Sequence, residues 1–389
     1  MNDLGTVSGC YLGGMGSMSG ITMKTEPSVP LHGVDVTKPK GGSFTLERVV
    51  ELSEILADKV ESAIGEIERL NGQTHMIAIN ARIEASRAGM AGKAFSVVAE
   101  QMNDLSGKIG VVSKKMRNES RDSIEELGNI IRTQATNVRG TRLSDLALTN
   151  IDLIDRSLYE RSCDVRWWAT DDTVVKALTL KSTEAYEEVT RRLGIILNSY
   201  TVYFDLVLCD LDGNVVSNGR PETYKSVGMN AKNTKWFESA TKTSSGKEFG
   251  FQSVSKCPLV NGEHTLVFSC TIRERGDQSG AILGVLGAIF RWQDLAQKIV
   301  KGVPISDEEK DRTRICIVDE TGLLLADSQD LVLEESIEFL GKNDLFAQKK
   351  GFAVSEYQGN RCCIAHAFSP GYETYASNWH SLLIQKLEQ

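Results

Sequence analysis

Residues 77–100 of this 389-residue chain read IAINARIEASRAGMAGKAFSVVAE, and this stretch decides the fold. Its first half is rich in Ala and long aliphatics, with neither Pro nor Gly before Gly89. Gly89-Met90-Ala91-Gly92 can reverse the chain, because glycine tolerates backbone angles that end a helix. A helical pattern resumes at Lys93. The stretch therefore reads as the bend of a long antiparallel helical hairpin.

The flanks extend that reading. Before the bend, alternating steps of three and four select Leu46, Val49, Ser53, Leu56, Val60, Ala63, Ile67, Leu70, Thr74, Ile77, Ala81, Glu84 and Ala88. After it they select Phe95, Val98, Met102, Leu105, Ile109, Val112 and Met116. Such a repeat, with charges on the other faces, is a coiled-coil seam. It resumes at Ile124, Leu127 and Ile131 after an extra step of four, a stutter. The first arm, of roughly 44 residues, would be about 66 Å long at about 1.5 Å per residue. One hairpin exposes too narrow a stripe to stand alone, so a dimer forming a four-helix bundle is expected.

These residues resemble the signalling tip of bacterial methyl-accepting chemotaxis receptors. The match runs through Gln73-Thr74, Ala78, Asn80-Ala81, Glu84-Ala85, Arg87-Ala88-Gly89, Gly92, Phe95 and Val97-Val98-Ala99. The resemblance implies a tip that binds a chemotaxis histidine kinase and its coupling adaptor, and homodimers that associate there as trimers of dimers. The positions matching the family's contacts are Ile79, Asn80, Glu84, Arg87 and Val97. Three features depart from the pattern: Gly72 stands where an aromatic is usual, Arg82 replaces a small residue, and Asn103-Asp104 stands where a basic residue is common.

The chain is 41% hydrophobic with a net charge of −8. That is enough apolar material for two or three domains, and the acidic balance argues against a nucleic-acid surface. No run approaches the roughly 18 apolar residues that span a bilayer, and no basic-then-apolar leader opens the sequence. A soluble, cytoplasmic protein is expected. Cys209, Cys270, Cys316, Cys362 and Cys363 fall in apolar, strand-like runs without any Cys-x-x-Cys, so buried free thiols are expected.

Residues 1–42 hold nine glycines and no periodicity, and read as a flexible tail. Ser43 or Thr45 would cap the first arm, and residues 43–139 form the hairpin. A further helix over 143–168 either fuses with the second arm or breaks at Gly140. Shorter helical patterns follow near 172–178 and 184–197.

From Thr201 the period changes to strands. Residues 203–210 lead through Asp212-Gly213 into a second strand, and Asn261-Gly262 between β-rich runs is a hairpin signal. Residues 265–272 and 281–290 read as central strands, with a helix over 292–300. The pattern then repeats in smaller form over 314–318, 323–327, 352–356, 362–368 and 382–385. The expected fold class is α+β: a dimeric hairpin followed, over 140–389, by two sheet modules at 201–300 and 312–388 behind a long leading helix. This part resembles the double Cache sensor domains of bacterial receptors and kinases. The matching residues are Phe204 to Leu208, Asp212 to Val216, Trp236-Phe237, Ala240, Gly280 to Gly287, Val318-Asp319 and Gly322.

Among candidate sites, Asp210-x-Asp212-Gly213-Asn214 superficially resembles a calcium loop but lacks its terminal Glu, and reads as a strand turn. The five histidines, at 32, 75, 264, 366 and 380, are scattered, so no metal site is expected. No nucleophile–base constellation stands out, so no catalytic residue, enzyme activity or cofactor is expected. A ligand pocket is expected around Trp236, with Tyr203, Phe237, Phe249 and Phe251 as walls and Arg220, Lys235 or Ser253 as anchors. Cache domains that bind amino acids carry charged groups where this chain has Thr234 and Ile289, which disfavours that ligand class. The expected function is a chemoreceptor-like transducer that senses a small molecule and regulates a histidine kinase through the tip. The rival reading is a stand-alone ligand-binding or scaffold protein whose hairpin only dimerises.

Overall fold

The structure is a computed structural model that describes residues 46–387. The tail expected over 1–42 and the caps at Ser43 and Thr45 lie outside the described residues. Two helices, α1 (Leu46–Arg87) and α2 (Lys93–Trp168), form the hairpin, joined by a single 3-10 turn over Gly89–Gly92. Gly89 has φ +59°, and a Cβ at Gly92 would stand 2.0 Å from the Ala85 carbonyl oxygen. The bend therefore depends on both glycines.

The two arms meet on a column different from the one the large aliphatics mark. Ile64, Ala78 and Ala85 of α1 are buried, each seven residues from the next column position, with Asn71 half-buried between them. Across from them Gly92, Ala99, Ser106 and Ser113 repeat the same interval. Small side chains let the backbones approach, and one layer is polar. Asn71 Nδ2 donates to the Ser106 carbonyl at 2.9 Å, while Ser106 Oγ donates to Asn71 Oδ1 at 2.8 Å. Arg117 reaches back from α2 to Glu68 at 2.9 Å and holds the register. Leu56, Ile67, Leu70, Ile77, Phe95, Val98, Leu105, Val112 and Met116 stay exposed on the single chain.

The question at Gly140 is settled: α2 runs without interruption for 76 residues, about 114 Å at 1.5 Å per residue. Its second half becomes buried. Leu143, Ala147, Ile151, Ile154, Leu158 and Val165 form one apolar stripe at helical spacing.

That stripe packs on the part of the chain that follows it. Helices α3 (Asp172–Leu180) and α4 (Thr183–Ser199) are each started by a side-chain cap, Asp171 to the Thr173 N–H and Ser182 to the Ala185 N–H. The first sheet comprises β1 (Tyr203–Asp210), β2 (Val215–Asn218), β3 (Gly250–Cys257), β4 (Glu263–Arg273) and β5 (Ile282–Phe290), with α5 (Lys235–Thr241) on one face. Helices α6 (Trp292–Lys301) and α7 (Asp307–Lys310) lead to the second sheet. That sheet holds β6 (Thr313–Val318), β7 (Leu324–Asp327), β8 (Lys350–Tyr357), β9 (Asn360–Phe368) and β10 (His380–Lys386), with α8 (Lys342–Phe346) before β8.

Both sheets are antiparallel and share one topology, β2-β1-β5-β4-β3 and β7-β6-β10-β9-β8. Their equivalent central strands are β5 and β10. The Asn261-Gly262 signal makes its turn, with φ of +61° and +81°. Asp210 closes the loop after β1 by accepting the N–H groups of Asp212 and Asn214, a strand turn as the sequence indicates. Cys209, Cys270, Cys316, Cys362 and Cys363 are buried free thiols. Cys362 and Cys363 face opposite sides of β9, as alternation requires. Among the described residues no helix is long and apolar enough to cross a membrane.

Candidate functional site

At the tip, Asn80, Glu84, Arg87 and Val97 are exposed and Ile79 is half-buried, all within the last turns of α1 and the first of α2. Arg87 donates to Glu84 Oε1 at 2.8 Å, three residues apart on one helical face. The pair is open to solvent, so its contribution to stability is small. Met90 and Phe95 project beside it, 79% and 73% exposed.

The sensor residues expected around Trp236 divide between two faces of the first sheet. Trp236 is only 1% exposed and packs with Phe237 on the face away from α2, its indole lying against Gly287 and Val207. Thr234 caps the short helix that carries it, accepting the Phe237 N–H. Tyr203, Phe249 and Phe251 belong to the other face. Tyr203 donates its hydroxyl to Asp164 of α2 at 2.7 Å. Phe249 and Phe251 contact Phe268 and, across the modules, Tyr375, while Phe251 also touches Trp379.

Strand alternation puts Phe249 and Phe251 on one side of the sheet, whereas Trp236 arrives on a separate helix over the other. The eight residues thus do not enclose one pocket. Arg220 is engaged elsewhere: its guanidinium donates to the carbonyls of Leu197, Tyr203 and Phe204 at 2.6–2.9 Å, and ties α4 to β1. Lys235 is exposed and Ser253 half-buried. Beneath Arg220, the buried Asp205 accepts from Asn218 and from the N–H groups of Leu206, Gly219 and Arg220. Burial pushes its carboxyl up to about 6 against the pull of those donors.

Contacts that fasten α2 to the second sheet module and the segment before it escaped the sequence reading. Asp155, fully buried, accepts from Ser369 Oγ at 2.6 Å, Gly371 N at 2.8 Å and Ser377 N at 3.1 Å. Ser144 Oγ donates to the Gly351 carbonyl, and Arg142 forms a bidentate pair with Glu309 at 2.6 and 2.8 Å. The partners lie 167 to 222 residues away in sequence, so no local signal exposes them. Trp292 Nε1 donates to the Leu325 carbonyl and links the modules.

Two histidines read as scattered do meet. Neighbouring strands bring His366 Nε2 and His380 Nδ1 to 2.7 Å, with Phe346 stacked on both rings. Burial holds His366 down near about 3 and His380 near about 4. Among the described residues, no three of His, Cys, Asp and Glu assemble as a metal set.

Residues 37–150 match the family described as the methyl-accepting chemotaxis protein (MCP) signalling domain. The whole described hairpin, α1 and the first part of α2, falls within the matched residues. Methyl-accepting chemotaxis protein TlpQ of Pseudomonas aeruginosa is 28% identical over 109 residues, 24% of this chain and 14% of TlpQ. Methyl-accepting chemotaxis protein TlpA of Bacillus subtilis is 35% identical over 85 residues, 22% of this chain and 11% of TlpA. The chain therefore spans a small part of those relatives. Beyond the signalling domain, the sensory domain of the Campylobacter jejuni chemoreceptor Tlp3 shares the fold. Its TM-score is 0.50 at 15% identity, over 65% of this chain and 96% of that one. The segment that matches the MCP signalling domain thus precedes a double sheet with the fold of a chemoreceptor sensory domain, and α2 runs from one into the other.

Proposed function

We propose that the chain is a chemoreceptor-type signal transducer. In this reading a small molecule bound by the Cache-like part biases α2, and the MCP tip passes that bias to a chemotaxis histidine kinase and its coupling adaptor. The observation that carries it is the continuity of α2 from Lys93 at the bend to Trp168 beneath the first sheet. A rigid helix whose one half is clamped by Asp155, Ser144 and Arg142 transmits small displacements over its length, because its hydrogen-bonded backbone does not absorb them locally. The exposed aliphatic seam supports a homodimer, in which two hairpins cover each other's stripes as a four-helix bundle. Ile79, Asn80, Glu84, Arg87 and Val97 then form the adaptor and kinase surface, and trimers of dimers are a further level of the same contact.

Co-purification of the chain with the chemotaxis kinase and adaptor tests the proposal, with kinase autophosphorylation as the functional readout. Stable capture with altered phosphorylation is expected. A dimer that captures neither partner would leave the hairpin a dimerisation device and overturn it.

A further inference from the structure

A cavity of about 360 Å³ opens where the segment after α6 crosses the end of the second sheet. That volume lies at the small end of ligand pockets, roughly 300–1,000 Å³. Its lining includes five cationic side chains, Lys301, Lys310, Arg312, Arg314 and Lys386, against one carboxylate, Asp311. Apolar side chains of Val303 and Ile305 complete part of the wall.

The cations have different duties. Arg314 is buried and committed to the protein, pairing with Asp327 at 2.8 Å and Glu335 at 3.0 Å and donating to Tyr357 Oη at 2.6 Å. It stiffens the wall. Lys301 and Lys310 have only exposed partners, Asp330 at 3.1 Å and Asp307 at 2.8 Å, and Lys386 is exposed. Ion pairs in solvent are weak, so these ammonium groups can turn to a ligand at little cost. A partly apolar cavity lined by ammonium groups whose solvent-exposed partners are weakly held favours an anion with more than one negative charge, which can engage two of them at once.

The same segment touches the long helix. Glu309, next to Lys310, is the residue that Arg142 of α2 grips with both guanidinium nitrogens. A capping box of Ser306 and Glu309 makes this short turn one unit. Drawing Lys310 toward a ligand therefore acts on the anchor of α2.

We propose that this cavity binds a small multivalent anion, a di- or tricarboxylate or a phosphate, and that the Glu309–Arg142 pair carries its occupancy to α2. The binding half stands on the cavity alone, and the coupling half rests on the transducer reading.

The test is calorimetric titration of the full chain with succinate, citrate and inorganic phosphate at matched ionic strength, with acetate as the monovalent control. Saturable binding of at least one multivalent anion is expected, with a rise in melting temperature by mass action. Which probe binds separates the carboxylate from the phosphate source. Joint Lys310→Gln and Lys386→Gln should weaken binding about tenfold or more, a loss of about 1.4 kcal/mol, with circular dichroism unchanged. Arg142→Gln should keep the affinity while removing the ligand's effect on amide exchange along residues 139–155. The site is overturned if no multivalent probe exceeds acetate, or if the double lysine variant binds as the parent does. Binding without any change in α2 exchange overturns the coupling. Because binding is read on the chain alone, failure of kinase capture leaves this site standing, and failure here leaves the tip's role standing.

Discussion

A Cβ placed on Gly140 would stand 2.2 Å from the ring of Phe352. The long helix enters the second sheet with its backbone against that aromatic ring, and only glycine leaves the room. Ala is the better helix former by about 1 kcal/mol, but overpacking of this kind costs about 1–3 kcal/mol. Gly140→Ala should therefore lower the melting temperature, and adding Phe352→Leu should recover much of the loss. A single variant that melts higher than the parent would mean the ring yields freely.

The Asp155 clamp gives a second expectation. Its carboxylate satisfies one hydroxyl and two backbone N–H groups of the segment between β9 and β10. Asp155→Ala leaves them without an acceptor in a buried place, at a cost of about 3 kcal/mol. Urea denaturation should register that loss, and hydrogen exchange should rise over residues 369–377. Asp155→Asn keeps one acceptor oxygen and should cost less. Equal exchange in parent and Ala variant would refute the clamp.

At the tip, Glu84→Ala should abolish adaptor capture while the chain still sediments as a dimer. The seam that would join two hairpins, Leu70, Ile77, Val98 and Leu105 among others, does not depend on that carboxylate. Val98→Asp with Leu105→Asp should do the reverse and first dissociate the dimer, because a buried unpaired charge is costly. Sedimentation at micromolar concentration checks both; a monomeric parent sinks the dimer.

The histidine pair predicts a pH dependence. Burial lowers both pKa values in the fold, to about 3 for His366 and about 4 for His380, against about 6.5 in an unfolded chain. The unfolded state then binds more protons below pH 6.5, so the pair's contribution is present above that value and is lost as pH falls toward 4. Asp205 acts in the opposite sense. Its pKa is raised to about 6, so its contribution is present below about 4 and lost as pH rises through 6. Two groups with larger displacements outweigh one, so net stability should fall on acidification across this window. Replacing both histidines by leucine should flatten the decline in denaturant titrations, and an unchanged slope would place the acid sensitivity elsewhere.

Much of the architecture is written locally. Spacing of three and four marks the hairpin arms, two glycines mark its bend, and alternation with Asn261-Gly262 and Asp212-Gly213 marks strands and turns, because each follows from backbone geometry within a few residues. The position of Asn80, Glu84 and Arg87 beside the bend follows for the same reason, since the three keep fixed spacing on one helix, whereas a role for them in a signalling tip is what the resemblance implies.

Which surfaces meet is a different matter. The large aliphatics of residues 46–116 define a seam, yet the two arms of one chain join on Asn71, Ala78, Ala85, Ala99, Ser106 and Ser113. Small residues allow close approach, and hydrophobicity alone does not single them out. Alternation shows that Phe249 and Phe251 share a face but not which face, and Trp236 reaches the opposite one on its own helix. Asp155 with Ser369, Arg142 with Glu309 and His366 with His380 are brought together only when the sheets pair and α2 packs across them. The sequence by itself determined the elements and the bend between the arms. Only the tertiary structure decided how the long helix is held, since those partners lie far apart along the chain and carry no local mark of each other.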